Sequence, residues 1–439
     1  MIYIRKLLIE NVRCFGKNQT LDFSTGNNKI SQWTVILGDN GSGKTTLLRS
    51  ITAMLPAPES FLRRRSNWDT EYDLSIYTRW NKSWSLRRGD GKEKSVLKLN
   101  IVETKSAFDD GKNGVPMDLR YEHSYDDDEV FNPHYRSSIN TVFFSPVFCF
   151  AYGANRRVAP NSLTGTKLLE ANETLFNDEA FLPSSEEFFL QVDYESAKSR
   201  RGSSEINVVK NLLKRILPSG IQDIKVIKAG PLLREVQVKT HFGWVNINEL
   251  SLGYKTTIGW LIDFASKMIY YHRNSKNPFN EPAILILDEI DLHMHPAWQV
   301  EIVENLTKLF PKTQFIVTAH SPLIVQAALG ANIILLKRVS NRVKIINDPD
   351  IIRTWRVDQV LTSDLFGLIS SRSPFVEKLL EERNELLRKM QLDEQEKTKL
   401  RQIEDVLGEL PVYDDVYEKQ AYSALNKITS LLKRKATHD

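Results

Sequence analysis

The sequence is poor in cysteine and has no long apolar run. Its two cysteines, Cys14 and Cys149, stand far apart among apolar or aromatic neighbours. Two thiols cannot complete a four-ligand zinc site, so we expect buried free thiols. No stretch approaches the roughly 18 consecutive apolar residues of a membrane span, and the first residues lack the apolar segment of a signal peptide. These absences predict a cytoplasmic protein that does not act at a membrane.

The sequence also lacks a strong excess of charge of one sign. Its 59 Lys and Arg residues and 55 Asp and Glu residues give a net charge of +4, so composition alone does not identify a nucleic-acid binder. The chain has 439 residues, of which 41% are hydrophobic, and no internal repeat stands out. That length is enough for two or three domains of ordinary size.

A glycine-rich loop follows a short strand near the N-terminus. The strand predicted at 33–37 leads into this loop, and apolar residues then recur at helical spacing. The pattern Gly-x4-Gly-Lys-Thr is that of a phosphate-binding loop, whose backbone N–H groups and lysine bind phosphates and whose threonine hydroxyl binds Mg²⁺. The predicted nucleotide-binding residues are Gly38, Asp39, Asn40, Gly41, Ser42, Gly43, Lys44, Thr45 and Thr46.

Two adjacent carboxylates end a second apolar strand. Residues 284–287 run directly into Asp288 and Glu289. A phosphate-binding loop needs a carboxylate to hold the metal's hydration shell, and we predict that Asp288 does so together with Thr45. Glu289 is then suited to orient or deprotonate the attacking water, which is a catalytic role. For each acid the alternative is capping of a helix N-terminus.

Two short motifs complete the pattern. The run 250–254 contains Ser251 and Gly253 at the predicted start of a helix, and it matches the signature motif of ABC-type ATPases. In that class these residues approach the γ-phosphate bound to the other protomer, using the anion affinity of a helix N-terminus. His320 follows another apolar strand and resembles the catalytic switch histidine of the same class. The alternatives are an ordinary N-cap serine and a core histidine.

These motifs, with residues 8–15, resemble the ABC-type ATPases of the SMC, RecF and OLD-like group. The resemblance implies an α/β fold: a P-loop ATPase head with a mixed sheet, flanking helices and an inserted helical subdomain, followed by a C-terminal helical tail. It also implies ATP and Mg²⁺ as ligands, and a homodimer or higher oligomer formed through the ATP sites.

The stretch 355–367 narrows the resemblance to the PtuA ATPases of Septu and retron anti-phage systems. Such ATPases work beside a separate HNH nuclease, PtuB. The resemblance therefore implies a sensor or regulatory subunit that controls an associated HNH-type nuclease and has no nuclease site of its own.

The motif positions predict a divided head, because the loop at 38–46 and the Asp288 strand must meet in one site. Residues 1–164 are expected to form the first half of the ATPase lobe, with inserted strands and loops. Residues 165–220 are expected to form a helical subdomain, and 221–345 the second half of the lobe. Residues 346–439 are expected to form a helical partner-binding region.

Several alternatives remain open at this point. Basic clusters at 63–65, 87–88 and 198–201, with Trp68 and Trp80, fit either DNA contact or a solvated face. A RecF-like DNA-repair ATPase without a nuclease partner, or a scaffold that seldom hydrolyses ATP, would carry the same motifs. The sequence assigns no role to the pair 156–157 or to His293 and His295.

Overall fold

The fold is taken from a computed structural model. It describes residues 1–25, 29–55, 95–104, 108, 115–123, 148–159, 171–198, 211, 213–214, 221–230, 234–328, 330–347, 357–362, 366, 370, 372–389 and 393–408. The strands are β1 (Ile2–Glu10), β2 (Gln19–Asp22), β3 (Trp33–Gly38), β4 (Ser95–Glu103), β5 (Val115–His123), β6 (Cys149–Tyr152), β7 (Arg157–Val158), β8 (Phe181–Leu182), β9 (Asp223–Lys228), β10 (Arg234–Thr240), β11 (Gly243–Asn246), β12 (Ala283–Leu287), β13 (Thr313–Thr318), β14 (Asn332–Val339) and β15 (Arg342–Asn347). The helices are α1 (Lys44–Ala53), α2 (Glu173–Phe176), α3 (Ser185–Lys198), α4 (Leu252–Tyr271), α5 (Pro296–Leu309), α6 (Pro322–Ala327), α7 (Val357–Leu361), α8 (Pro374–Leu387) and α9 (Glu394–Gly408).

A mixed sheet forms the centre of the fold. Among the described residues it has six strands in the order β15-β14-β3-β13-β12-β6, and every neighbouring pair is parallel except β14 and β15. The predicted α/β class with a mixed sheet and flanking helices is therefore confirmed. Parallel strands end at the same edge of a sheet, so the segments that follow β3, β12 and β13 lie side by side.

Strand β12 shows why parallel strands of the central sheet are continuous apolar runs in the sequence. All five of its residues are buried, because alternate side chains enter two different cores. Ile284 and Ile286 pack in the core that contains α1 and the strand β1. Leu285 and Leu287 pack in the core that contains α4 and α5. Burial on both faces fixes the position of the strand's carboxyl end.

An antiparallel sheet covers the α1 side of the central sheet. It has the order β2-β1-β4-β5 among the described residues. The side chain of Gln314, on β13, donates to the carbonyl of Ile4 and accepts from its N–H, both at 2.8 Å. This pair ties the two sheets together and satisfies polar groups that are buried between them.

The chain divides into two compact units, Met1–Phe366 and Gly367–Asp439. Within the second unit, α8 and α9 are joined by ion pairs between Arg383 and Glu404 at 3.3 Å and between Glu382 and Lys399 at 2.8 Å. The helical character predicted for this charged region is confirmed for the described part. The predicted subdivision at 164, 220 and 345 stays a prediction.

Some of the expectations from sequence fall outside the described residues. These are the basic clusters at 63–65 and 87–88, residues 199–201 of the third cluster, and most of the stretch 355–367. No helix in the described ranges combines the length and the hydropathy needed to cross a membrane.

A buried ion pair lies on α4. Lys267 Nζ is 2.7 Å from Asp263 Oδ2, and both side chains are at least nine-tenths buried. The Tyr152 hydroxyl, at the end of β6, donates to the same carboxylate oxygen at 2.6 Å. The network joins α4 to the strand beside β12, and each buried charge depends on its partner.

We expect Asp263→Asn to lower the free energy of unfolding by about 3–5 kcal/mol, because it leaves the Lys267 charge buried without its counter-ion. Urea unfolding followed by tryptophan fluorescence measures the change. The control is Glu304→Gln, which breaks the exposed Lys308–Glu304 pair of the same i,i+4 spacing and should change little. Equal losses in the two variants would contradict the prediction.

Candidate functional site

The loop predicted to bind phosphate lies between β3 and α1. Gly38 ends β3, residues 39–43 turn, and Lys44, Thr45 and Thr46 form the start of α1. Gly43 is the N-cap of α1 with φ of 90°, and an added Cβ would lie 2.4 Å from Cys14 Sγ. Glycine is therefore required there by both conformation and space. The loop presents a helix N-terminus, which favours anions.

Lys44 reaches back over this loop. Its Nζ donates to the carbonyl oxygens of Gly38 at 2.7 Å and Asp39 at 3.1 Å. Burial lowers the pKa of Lys44 below its ordinary value, while the carboxylates of Asp288 and Glu289 act in the opposite direction. The lysine thus places a positive charge between the loop and the two acids.

The hydroxyl of Thr45 meets the Asp288 carboxylate across the end of the sheet. Thr45 Oγ1 donates to Asp288 Oδ2 at 2.6 Å, and Thr318 Oγ1 donates to Asp288 Oδ1 at 2.5 Å. Asp288 is 2% exposed, so both of its oxygens are fixed in a dry site. A hydroxyl and a carboxylate are hard oxygen ligands of the kind that Mg²⁺ takes. The donor set fits the ion that the phosphate-binding loop implies.

Glu289 follows in an unusual backbone conformation. Its φ is 51°, in the left-handed region that few non-glycine residues adopt. Its N–H donates to Thr318 Oγ1 at 2.7 Å, while its side chain stays 31% exposed. The Glu289 side chain is thus more accessible than that of the buried Asp288.

His320 lies beside Glu289. Its Nε2 is 3.9 Å from Glu289 Oε1, and its side chain is 38% exposed, which does not fit the core histidine considered from sequence. The backbone N–H of His320 donates to Asp291 Oδ2 at 2.9 Å. Asp291 therefore ties the turn after β12 to the loop after β13.

Neither acid caps a helix. The next helix, α5, begins beyond the turn, and its N-cap is His295, whose Nδ1 accepts from the N–H of Ala297 at 3.3 Å. This finding gives His295 a structural role that the sequence did not assign. It removes the capping interpretation for Asp288 and Glu289.

The signature segment lies at the N-terminus of α4. Ser251 is the N-cap residue, but its side chain makes no capping hydrogen bond, and Leu252 is 60% exposed. A Cβ on Gly253 would lie 2.2 Å from the carbonyl oxygen of His293. The start of α4 thus packs directly on the turn that follows Glu289. Ser251 is exposed, and its hydroxyl makes no hydrogen bond that caps the helix.

A cavity of about 230 Å³ opens beside the loop and the histidine. The residues that line it come from the ends of β3 and β13 and from one position further along the chain: Leu37, Gly38, Asp39, Asn40, Ala319, His320 and Phe366. The structure therefore brings together the predicted loop, Asp288, Glu289 and His320 at one edge of the sheet. Ser251 and Gly253 adjoin the same edge through the turn at 291–295.

Two residues of this site are not among those predicted from the sequence. Thr318 is one of them, although its place at the carboxyl end of β13, next to β12, is a usable signal. Arg156 received no role, yet its buried guanidinium donates to the carbonyl oxygens of Asp288 and Glu289. Nothing in the sequence shows that β6 lies beside β12, so the contact of Arg156 with these carbonyl groups could not be predicted.

A family match covers the glycine-rich loop, the two acids, the signature segment and His320. Residues 33–326 match the family described as "AAA domain, putative AbiEii toxin, Type IV TA system". That range begins at β3 and extends past His320. The chain belongs to this AAA family. The glycine-rich loop and the two acids therefore lie within the matched domain.

Relatives of this AAA-family chain include a Septu protein. The chain is 26% identical over 432 residues to the Septu protein PtuA of Bacillus mycoides (strain KBAB4), covering 97% of this chain and 53% of that protein. It is 36% identical over 135 residues to the "Retron Ec83 probable ATPase" of Escherichia coli, covering 31% of this chain and 24% of that protein. The predicted relationship to the PtuA ATPases is confirmed. The chain spans about half the length of the first of these relatives.

Among solved structures, the SMC head domain from Thermotoga maritima matches with a TM-score of 0.40 at 13% sequence identity. The match covers 79% of this chain and 99% of that chain.

Proposed function

We propose that this chain binds ATP with Mg²⁺ and hydrolyses it to ADP and phosphate. The observation that carries the proposal is the contact between the Thr45 hydroxyl and the Asp288 carboxylate at the mouth of the phosphate-binding loop. Two such oxygens, beside a lysine and a helix N-terminus, form a site for a metal-bound triphosphate. Membership of the AAA family supports the same activity.

Each predicted residue then has a part in binding. The backbone N–H groups of residues 38–46 surround the phosphates, and Lys44 exchanges its two carbonyl partners for phosphate oxygens. Thr45 and Asp288 would hold Mg²⁺, which when bound neutralises charge on the β- and γ-phosphate oxygens. Thr318 keeps the Asp288 carboxylate in the orientation that serves this purpose.

Glu289 supplies the base. Its exposed carboxylate accepts a proton from the attacking water as the water oxygen bonds to the γ-phosphorus and the bond to the bridging oxygen of ADP breaks. His320 lines the cavity beside the loop, with its Nε2 3.9 Å from Glu289 Oε1, and from this position we propose that it binds the γ-phosphate. These two residues are the proposed catalytic groups.

We propose that the site is completed by a second copy of the chain. Ser251 has no capping bond to its own helix, and the adjoining Leu252 is exposed, so the start of α4 is available to another molecule. A helix N-terminus presented in this way favours the γ-phosphate bound to the opposite protomer. Turnover per chain should therefore rise with protein concentration until dimers saturate.

The direct test of hydrolysis is ATP turnover by the purified chain, measured over a series of protein concentrations with and without Mg²⁺. Turnover that requires Mg²⁺ and rises with concentration supports both the activity and the shared site. Tight ATP binding without turnover would favour the nucleotide-binding scaffold. Turnover per chain that is independent of concentration would contradict the shared site.

Substitution of Gly253 tests the packing of α4 on the turn after Glu289. Gly253→Ala places a methyl group against the carbonyl oxygen of His293, so the helix start or the turn must move. We expect ATP turnover to fall by about tenfold or more, because misplacement on the order of 1 Å costs up to about 100-fold. Steady-state phosphate release measures the change.

The control is Gly16→Ala, whose added Cβ would lie nearest to the flexible side chain of Arg342, at 3.0 Å. It should leave turnover unchanged. A Gly253→Ala variant that hydrolyses ATP as fast as this control would show that the contact between α4 and the turn does not matter to the reaction.

The finer proposal is that ATP state in this chain controls a separate HNH-type nuclease, like PtuB. Its support is the relationship to the Septu protein PtuA and the exposed apolar side chains of the second unit. Phe375 and Leu387 on α8 and Val406 on α9 are 64%, 50% and 40% exposed. Exposed apolar residues on charged helices are suited to binding a partner protein.

Co-purification with an HNH protein from the neighbouring gene, followed by mass measurement with and without ATP, tests this partner. A complex whose mass depends on ATP supports the proposal. A chain that remains alone and binds duplex DNA would favour the RecF-like alternative and remove the nuclease partner.

A further inference from the structure

A buried arginine side chain is hydrogen-bonded to the turn that carries Glu289. Arg156 lies in the loop after β6, and its guanidinium donates to the carbonyl oxygens of Gly153, Asp288 and Glu289. The residue is 4% exposed. Because β6 pairs with β12, this loop runs beside the carboxyl end of β12. One planar side chain thus holds two successive carbonyl groups of the site.

The guanidinium suits this position better than other cations. It presents several N–H donors in one fixed plane, whereas an ammonium group is a compact point charge. Burial lowers the pKa of Arg156 to about 10, while Asp288, Glu289 and Asp291 favour the charged form. The buried charge is therefore matched to the group of acids at the site as well as to the carbonyls.

Glu289 needs such support because of its backbone. A non-glycine residue in the left-handed region is strained and persists only where its surroundings hold it. Thr318 Oγ1 accepts from the N–H of Glu289 at 2.7 Å, and Arg156 Nη2 donates to its carbonyl oxygen at 2.8 Å. The two ends of the residue are thus fixed from two different segments, the end of β13 and the loop after β6.

We propose that Arg156 is a positioning residue for ATP hydrolysis, which sets the direction of the Glu289 carboxylate by fixing the carbonyl oxygens of Asp288 and Glu289. Arg156 acts through the backbone of the site and does not contact the substrate. The inference rests on the proposed function, because Arg156 has this positioning role only if Glu289 serves as the base.

The first experiment compares Arg156→Lys with Arg157→Lys. The first change keeps the charge and removes the planar fork. The second alters the exposed neighbour, whose Nε donates to the side chain of Asn155. We expect Arg156→Lys to lower kcat by about 10- to 100-fold with ATP affinity within about twofold of wild type. Arg157→Lys should leave both unchanged.

The second experiment places Arg156→Lys in a Glu289→Gln background. If Arg156 acts through Glu289, its replacement should lower the residual turnover of that background by less than about twofold, because residues that act as a unit are not additive. A purely structural role would lower turnover to the same extent in both backgrounds.

The outcomes separate this inference from the proposed function. A wild-type chain that does not hydrolyse ATP would remove the proposed function itself. A wild-type chain that depends on Glu289 but tolerates Arg156→Lys would overturn only the positioning role. A loss of ATP affinity as large as the loss of kcat, or a failure of both Arg156→Lys and Arg156→Gln to fold, would make Arg156 a residue of the fold and would also overturn it.

Discussion

Replacing Glu289 by glutamine is expected to lower kcat for ATP hydrolysis by about 100- to 10,000-fold, the usual contribution of a general base. The amide keeps the size of the side chain but cannot accept the proton of the attacking water. The left-handed backbone and its bond to Thr318 remain, so ATP binding should change little. Single-turnover hydrolysis and ATP affinity, measured on the same preparation, give the two quantities.

The matched control is Glu301→Gln, an exposed position on α5. It should hydrolyse ATP at the wild-type rate. A Glu289→Gln variant that turns over ATP like this control would assign the base to another residue and would leave Glu289 as a surface carboxylate of the turn.

Replacing Lys44 by alanine is expected to weaken ATP binding by roughly 100-fold, because hydrogen bonds to charged groups are each worth about 1.5–3 kcal/mol. The lysine is buried between the loop and the two acids, and alanine leaves those carboxylates without its positive charge. Repulsion between the acids and the triphosphate then adds to the lost contacts. Titration with a fluorescent ATP analogue measures the affinity.

Lys276→Ala serves as the control for Lys44→Ala, since Lys276 is exposed and far along the chain from the loop. Its ATP affinity should equal that of wild type. Unchanged affinity in Lys44→Ala would mean that the loop between β3 and α1 does not bind the triphosphate.

The residues of the site that could be predicted are those with a local pattern. The loop at 38–46 carries its own spacing of glycines, and Asp288 and Glu289 stand directly after an apolar strand. His320 was found in the same way after β13. The prediction that these residues meet in one site depends on the rule that parallel strands end at the same edge of a sheet. The observed strand order agrees with this rule.

The contacts that escaped prediction depend on which strands are neighbours. Arg156 reaches Asp288 only because β6 lies beside β12, and Tyr152 reaches Asp263 because α4 packs against β6. The left-handed backbone of Glu289 is likewise imposed by bonds from Thr318 and Arg156. Such contacts join segments that are distant in sequence, and no spacing or periodicity records them.

The proposed site of ATP hydrolysis is shared by two copies of the chain. Mixing Lys44→Ala with Ser251→Ala tests it, because Ser251→Ala removes only the hydroxyl proposed to bind the opposite protomer's γ-phosphate and leaves the turn after Glu289 unchanged. In a mixed dimer, the intact loop of one copy faces the intact α4 start of the other. Two variants with little activity of their own should regain about a quarter of the wild-type rate when mixed in equal amounts, because half of the dimers are mixed and each mixed dimer has one intact site. A mixture no more active than its separate components would contradict it.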